Sequence, residues 1–206
     1  MTHDSSEVIN WVSLLDVACR SELDNFVITV GDYLVNHQKE WIKTNVITVY
    51  NHHALSSNLV KRLLDHCNQI MVSMPKVIIE SGGLGSIPKE TSIYLLRHDR
   101  LNLEEIDIWI LVVQWAIKQV PGLVDEPNDW SSADVVKVRE HMSDFIPYIR
   151  FFNIPTNDFR EKVVPYDELL SKELRRDLLH YQLDNNYKPK SKYAALAPRM
   201  GQKVSI

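Results

Sequence analysis

The stretch KVIIESGGLGSIPKE sets Gly82, Gly83 and Gly85 just before a helix start. Backbone N–H groups at such a junction can cradle a phosphate. The chain has neither GxxxxGK[ST] nor GxGxxG, however, and no later strands to complete a nucleotide-binding sheet. Pro88 also removes one donor. A flexible turn after a short strand over 76–80 accounts for these glycines, and no phosphate cofactor is expected. His52, His53, His66 and Cys67 raise a metal reading. Zinc takes three or four ligands at rigid spacings. Here the adjacent His52 and His53 point in different directions, and helical spacing puts His66 on a polar side and Cys67 on an apolar one. Surface histidine and core cysteine are the simpler account, so no metal is expected.

Glu104 with Glu105, and Asp125 with Glu126, are paired carboxylates. Acid–base catalysis would require them to oppose each other in a cleft with separated pKa values, whereas helix-start and loop positions explain both pairs. Serine, histidine and aspartate occur without a nucleophile-elbow context. Tyr148, Arg150, Phe151 and Phe152 combine aromatics with a cation, as single-strand stacking platforms do. Beside Pro147 in an acidic chain they are better read as core packing, with Arg150 capping the preceding helix or meeting a carboxylate. No catalytic residue is expected, and the chain does not read as an enzyme.

The charge distribution supports that direction. The 206 residues carry a net charge of −4, but Lys188, Lys190, Lys192, Arg199 and Lys203 follow the last acid, Asp184, so the remainder stands at −9. Phosphate binding depends on clustered lysine and arginine, so a nucleic-acid partner is not expected. Cys19 and Cys67 are the two cysteines. They form no CxxC pair, and the polar start shows no secretory pattern, which points to a cytoplasmic or nuclear setting. The composition is 45% hydrophobic and 24% charged, enough for a substantial core.

The elements that would position these residues read as helices. Residues 8–20 put Val8, Trp11, Leu15 and Ala18 on one face, and residues 23–35 do the same with Leu23, Phe26, Val27, Val30 and Leu34, with Gly31 a weak spot. Residues 41–50 can be a short helix or an extended piece. Ser56 or Ser57 can cap a helix bearing Val60, Leu63, Cys67, Ile70 and Met74, which Pro75 ends. Ser86 and Pro88 mark another start. Asn102 and Glu105 have capping-box spacing before a helix in which Ile106, Trp109, Ile110, Val113 and Ile117 form one stripe and Ile108, Val112 and Trp115 a second. Asp107, Gln114 and Lys118 leave it only a narrow polar line, so it must be covered on at least two sides. Asp107 and Gln114 also interrupt the run short of a membrane span, which takes about 20 mostly apolar residues. No membrane partner is expected. Ser131 and Asp134 open a further helix, Thr156 a short one, and Leu170, Leu174, Leu178 and Tyr181 stripe the last, which is expected to end the folded body near Leu183.

The order of features from Pro88 through Leu95, Leu96, Asp99, Leu101, Ile108, Trp109 and Trp115 resembles the BACK domain that follows BTB domains in Kelch-like and TLDc-type proteins. Leu14, Leu15, Ala18, Leu23, Tyr33 and Leu34 are similar to the last helical pair of a BTB domain, with Gly31 a departure. The segment LAPRMGQKVSI is similar to a linker leading into a TLDc domain. The resemblance implies an all-α array of antiparallel helix pairs, with a BTB-type helical pair at 1–40, a BACK region at 41–183 and a basic flexible linker at 184–206. It also implies that the BTB sheet would lie before residue 1 and that a TLDc or Kelch domain would follow residue 206. The function implied is that of a non-catalytic adaptor in a cullin-RING ubiquitin ligase. A protein partner, a cullin among the candidates, would contact the 41–74 region, with Trp41, Val46 and Tyr50 as the residues expected there. A free-standing helical interaction module with an unrelated partner is the alternative.

Overall fold

The computed structural model describes the chain apart from residues 1–4, 22, 53–59, 125, 185, 194–195 and 200–206, together with the side chains of 5–10. The described residues are helical and contain no strand. They form two compact units, Met1–Lys89 and Glu90–Ile206.

In the first unit, α1 (Ser5–Arg20) and α2 (Asp24–His37) pack together. A single residue, Gln38, separates α2 from α3 (Lys39–Tyr50). The ambiguous stretch is thus a helix: Trp41, Ile42, Val46 and Val49 fall at helical spacing and are all buried. The helix α4 (Lys61–Ser73) lies against both α2 and α3. Of the stripe expected there, Val60, Leu63, Cys67 and Ile70 are at most 5% exposed, but Met74, just past the helix end, is 46% exposed. At Gly31 α2 lies close against Val60, the N-cap residue of α4. A Cβ built there would lie 3.1 Å from Val60 Cγ1, so the missing side chain, a liability to an isolated helix, permits the packing. The caps expected at Ser56 or Ser57 fall outside the described residues.

The run expected as a short strand is instead a one-turn helix, α5 (Lys76–Glu80). Pro75 starts it with a helical φ of −65°, and Ile78 alone reaches the core, so no two-residue alternation is available to a sheet. Gly82 and Gly83 follow at φ 108° and 78°, the left-handed region that favours glycine.

The second unit is organised around α7 (Glu105–Lys118). Ile108, Trp109, Val112 and Ala116 are fully buried, while Asp107, Gln114 and Lys118 are exposed as the narrow polar line required. Trp109 is anchored as well as covered. Its ring meets Phe151 edge-on at 5.5 Å, and its Nε1 donates to the Lys162 carbonyl at 3.0 Å. That carbonyl lies in a π-helical turn, Phe159–Val163. Trp115 meets Phe145 edge-on at 4.8 Å. Preceding α7 is α6 (Lys89–Arg97), and following it is α8 (Ser132–Met142). The helix α8 carries the full reciprocal cap, the Ser131 hydroxyl accepting from the Asp134 N–H while the Asp134 carboxylate accepts from the Ser131 N–H. A short α9 (Thr156–Asp158) enters the π turn, and α10 (Lys172–Leu183) places Leu174 and Leu178 in the core.

Beyond Leu183 the chain turns back on itself. The Asp177 carboxylate accepts from the Tyr187 hydroxyl at 2.7 Å and from the backbone N–H groups of Lys190 at 3.0 Å and Ser191 at 2.8 Å. Ser191 and Arg199 are both buried. The core of the second unit therefore extends past the helix expected to end it, into the segment whose composition reads as a basic linker.

Candidate functional site

The partner-facing residues expected on α3 take two different positions. Trp41 and Val46 are buried, at 9% and 1% exposure, and Tyr50, the last residue of the helix, is half-buried. The surface available there is a cleft of about 310 Å³ between α3 and α5, lined by Lys43, Thr44, Asn45, Val46, Ile47 and Thr48 on one side and by Val77, Glu80 and Ser81 on the other. Its lining mixes polar and apolar groups, with a cation, Lys43, from α3 and a carboxylate, Glu80, from α5.

Among the described residues no cluster of three or more His, Cys, Asp or Glu could hold a metal ion. Burial first, and then Lys39, Lys43 and Arg62, push the His66 imidazole below its ordinary pKa. A ring in such cationic surroundings is a poor place for a metal ion. Cys67 is fully buried and its thiol is pushed up to about 12 by desolvation, which makes it an inert core group. The Gly82–Gly85 loop is tied to α3's end by the Asn51 side chain, which donates to the Ser86 carbonyl at 2.6 Å. Phe151 and Phe152 are buried, so no aromatic platform is exposed there. His53 and Asp125 fall outside the described residues. No helix among the described residues is long and apolar enough to cross a membrane.

Two further features emerge. The first is a set of exposed apolar side chains on α1, α2 and their connection. Val17, Leu23, Phe26, Ile28 and Tyr33 are between 38% and 59% exposed. Tyr33 stacks on Trp11 at 5.2 Å and leans on His37 at 4.8 Å, extending the set along both helices.

The second is a buried charge cluster in the second unit. Glu105, the first residue of α7, has a side chain only 1% exposed. Its Oε1 accepts from Arg199 Nε at 2.7 Å, and its Oε2 accepts from the Arg150 backbone N–H at 3.0 Å. The Arg199 guanidinium, fully buried, also donates through Nη1 to the His98 carbonyl at 2.8 Å and through Nη2 to the carbonyls of Leu96 at 2.9 Å and Tyr148 at 3.3 Å. Arg150, itself 6% exposed, bonds the Asp99 carboxylate and donates to the Ala197 carbonyl at 2.6 Å. Burial pushes the Glu105 carboxyl above its ordinary range, against the pull of Arg199 and of the Arg150 N–H. Burial likewise lowers Arg199, against the pull of Glu105. Both shifts express the same desolvation, which is tolerable only because the two charges meet in a nearly complete set of hydrogen bonds.

Glu105 sits where a capping-box acid is expected, but Glu104 is the N-cap and makes no side-chain cap bond. The Glu105 carboxylate is committed instead to two arginines, one of them 94 residues away. The expectation that Arg150 either caps a helix or meets a carboxylate resolves to the second, at Asp99. Compared with known protein families, with curated proteins and with solved structures, the chain finds no match.

Proposed function

We infer that the chain is a non-catalytic helical adaptor, similar to the BACK region of cullin-RING ligase adaptors, which holds a protein partner against its first helices. The observation that supports this reading is the set of exposed apolar side chains on α1 and α2, where Val17, Leu23, Phe26 and Tyr33 stay exposed beside the stacked Trp11. Exposed apolar surface of this kind marks protein contacts more often than chance would place it. In the BTB–BACK architecture the corresponding helical pair belongs to a BTB domain. The three-residue connection between α1 and α2 favours the antiparallel pairing typical of such arrays. Such an adaptor would work in the cytoplasm or the nucleus.

A cullin partner would use the 41–74 region. With Trp41 and Val46 buried, its contacts would fall on the cleft beside α3, near Thr44, Thr48 and Tyr50. The test is calorimetric titration of the full chain with a purified cullin N-terminal domain. Binding at micromolar concentration is expected, weakened at least about tenfold by Thr48→Asp (about 1.4 kcal/mol). No detectable binding by the wild-type chain would remove the cullin from the reading. The alternative, a free-standing interaction module with an unrelated partner, would place its contacts on α1 and α2 alone. It predicts that Leu23→Asp with Phe26→Asp abolishes the chain's protein contacts while Thr48→Asp leaves them unchanged.

A further inference from the structure

The cavity around Glu105 is built by one part of the chain and filled by another. Its walls come from residues 96–150: the carbonyls of Leu96 and His98 at the C-terminal end of α6, the Glu105 carboxylate, the Tyr148 carbonyl and Arg150. The end of α6 adds the negative pole of its helix dipole. Residues 196–199, which fill it, run without helix or turn. Pro198 fixes its own φ and holds Ala197 out of the helical region, so the sequence itself makes this piece extended.

The acceptors are arranged for a guanidinium in particular. One carboxylate oxygen and three carbonyl oxygens receive Nε, Nη1 and Nη2 of one planar fork at 2.7 to 3.3 Å. An ammonium is a point donor and cannot span that set. The main chain of the filling segment is read as well, since Arg150 Nη1 reaches the Ala197 carbonyl. The same Arg150 holds Glu105 Oε2 through its backbone N–H, so the carboxylate is set in place by a group that does not belong to the ligand. Side chain and backbone are thus recognised together, as when a peptide docks in a preformed site.

We propose that this cavity is a recognition site for an arginine side chain carried on an extended peptide segment, and that residues 196–199 are its ligand, supplied in cis. A Pro-Arg segment from elsewhere competes for the same acceptors, and displacement of residues 196–199 opens the site.

The experiment is chemical rescue of the full-length Arg199→Ala chain, followed by thermal melting. Ethylguanidinium chloride, ethylammonium chloride and sodium chloride are compared at equal millimolar concentration, alongside the peptide acetyl-Ala-Pro-Arg-amide. The variant melts below wild type. Ethylguanidinium is expected to restore roughly half of the lost melting temperature, and ethylammonium and sodium to restore none. The peptide should act at about tenfold lower concentration, because it also offers the Ala197 carbonyl to Arg150. Adding Glu105→Gln to Arg199→Ala should abolish the rescue. Equal effects of ethylguanidinium and ethylammonium, or rescue that survives Glu105→Gln, would overturn the proposal. If Arg199→Ala does not fold alone, the readout becomes the folded fraction recovered with each cation, and the same ordering is required.

Discussion

Replacing Arg199 by methionine tests whether the Glu105 cluster holds the second unit together. Methionine follows the arginine stem without a branch and fills much of the same channel, so the loss is mainly one of charge and hydrogen bonds. What remains is a carboxylate 1% exposed, whose nearest other cationic group is Arg150 Nε at 3.9 Å and which keeps the Arg150 N–H at 3.0 Å. Breaking one side of a buried ion pair costs about 3–5 kcal/mol. The surviving bond from Arg150 places this case near the lower end, about 3 kcal/mol. For a chain of this size that corresponds to a fall of roughly 6–12 °C in melting temperature. Arg199→Met with Glu105→Gln removes both charges. The amide oxygen that Glu105→Gln introduces can still accept from the Arg150 N–H, no charge is stranded, and the net loss should be about 1–2 kcal/mol. The assay is urea unfolding of wild type, both single variants and the double variant, read as a double-mutant cycle. An Arg199→Met chain within about 0.5 kcal/mol of wild type, or a double variant no more stable than Arg199→Met, would refute the reasoning.

Trp109→Ala should destabilise by about 3–5 kcal/mol, because it opens a large cavity and leaves the Lys162 carbonyl without its donor; a melting curve near that of wild type would contradict the central role of α7. Gly31→Val should cost about 1–3 kcal/mol by driving α2 off Val60 at the start of α4, measurable in the same urea titration. Desolvation pushes the Asp177 carboxyl up, but the N–H groups of Lys190 and Ser191 and the Tyr187 hydroxyl outweigh it and hold it down at about 2. A carboxylate with a depressed folded pKa stabilises above its unfolded value, about 3.9, and that contribution disappears as the pH falls toward the folded one. Acid unfolding between about pH 4 and pH 2 should therefore remove about 1–2 kcal/mol, after allowance for solvent screening, and Asp177→Asn should flatten that slope. In the native chain a thiol reagent should label Cys19, which is partly exposed, well before Cys67.

The helices were legible where burial follows a period. The stripes on α4 and α7 name much of the buried face: Val60, Leu63, Cys67 and Ile70 are buried while Met74 is exposed, and on α7 Ile106, Ile108, Trp109, Val112 and Val113 are buried while Ile110, Trp115 and Ile117 are half-buried. The reciprocal Ser131–Asp134 cap was legible because both partners lie within one turn. Residues 76–80 were not legible in this way. Five residues are too few to show a period, and β-branched side chains suit a strand as readily as one helical turn. On α3 the reading selected the large apolar side chains as partner contacts, and the same property took Trp41 and Val46 into the core. Tyr50, at the end of that helix, keeps part of its surface because its hydroxyl lets it stop at the boundary.

The tail shows why composition and structure can diverge. Composition averages over many residues, and residues 184–206 average to lysines, turn formers and no period, which is the signature of a linker. The energetics of that segment rest on two side chains instead. Asp177 closes the turn through Lys190 and Ser191, and Arg199 completes a site whose acceptors lie 51 to 103 residues away. Each acts through one buried carboxylate, and a carboxylate at the start of α7 looks the same in sequence whether it faces water or an arginine. A buried acid that cannot be neutralised nearby requires a distant cation. The place to look for that requirement is therefore an acid in the first turn of a helix that must be covered, which here is Glu105.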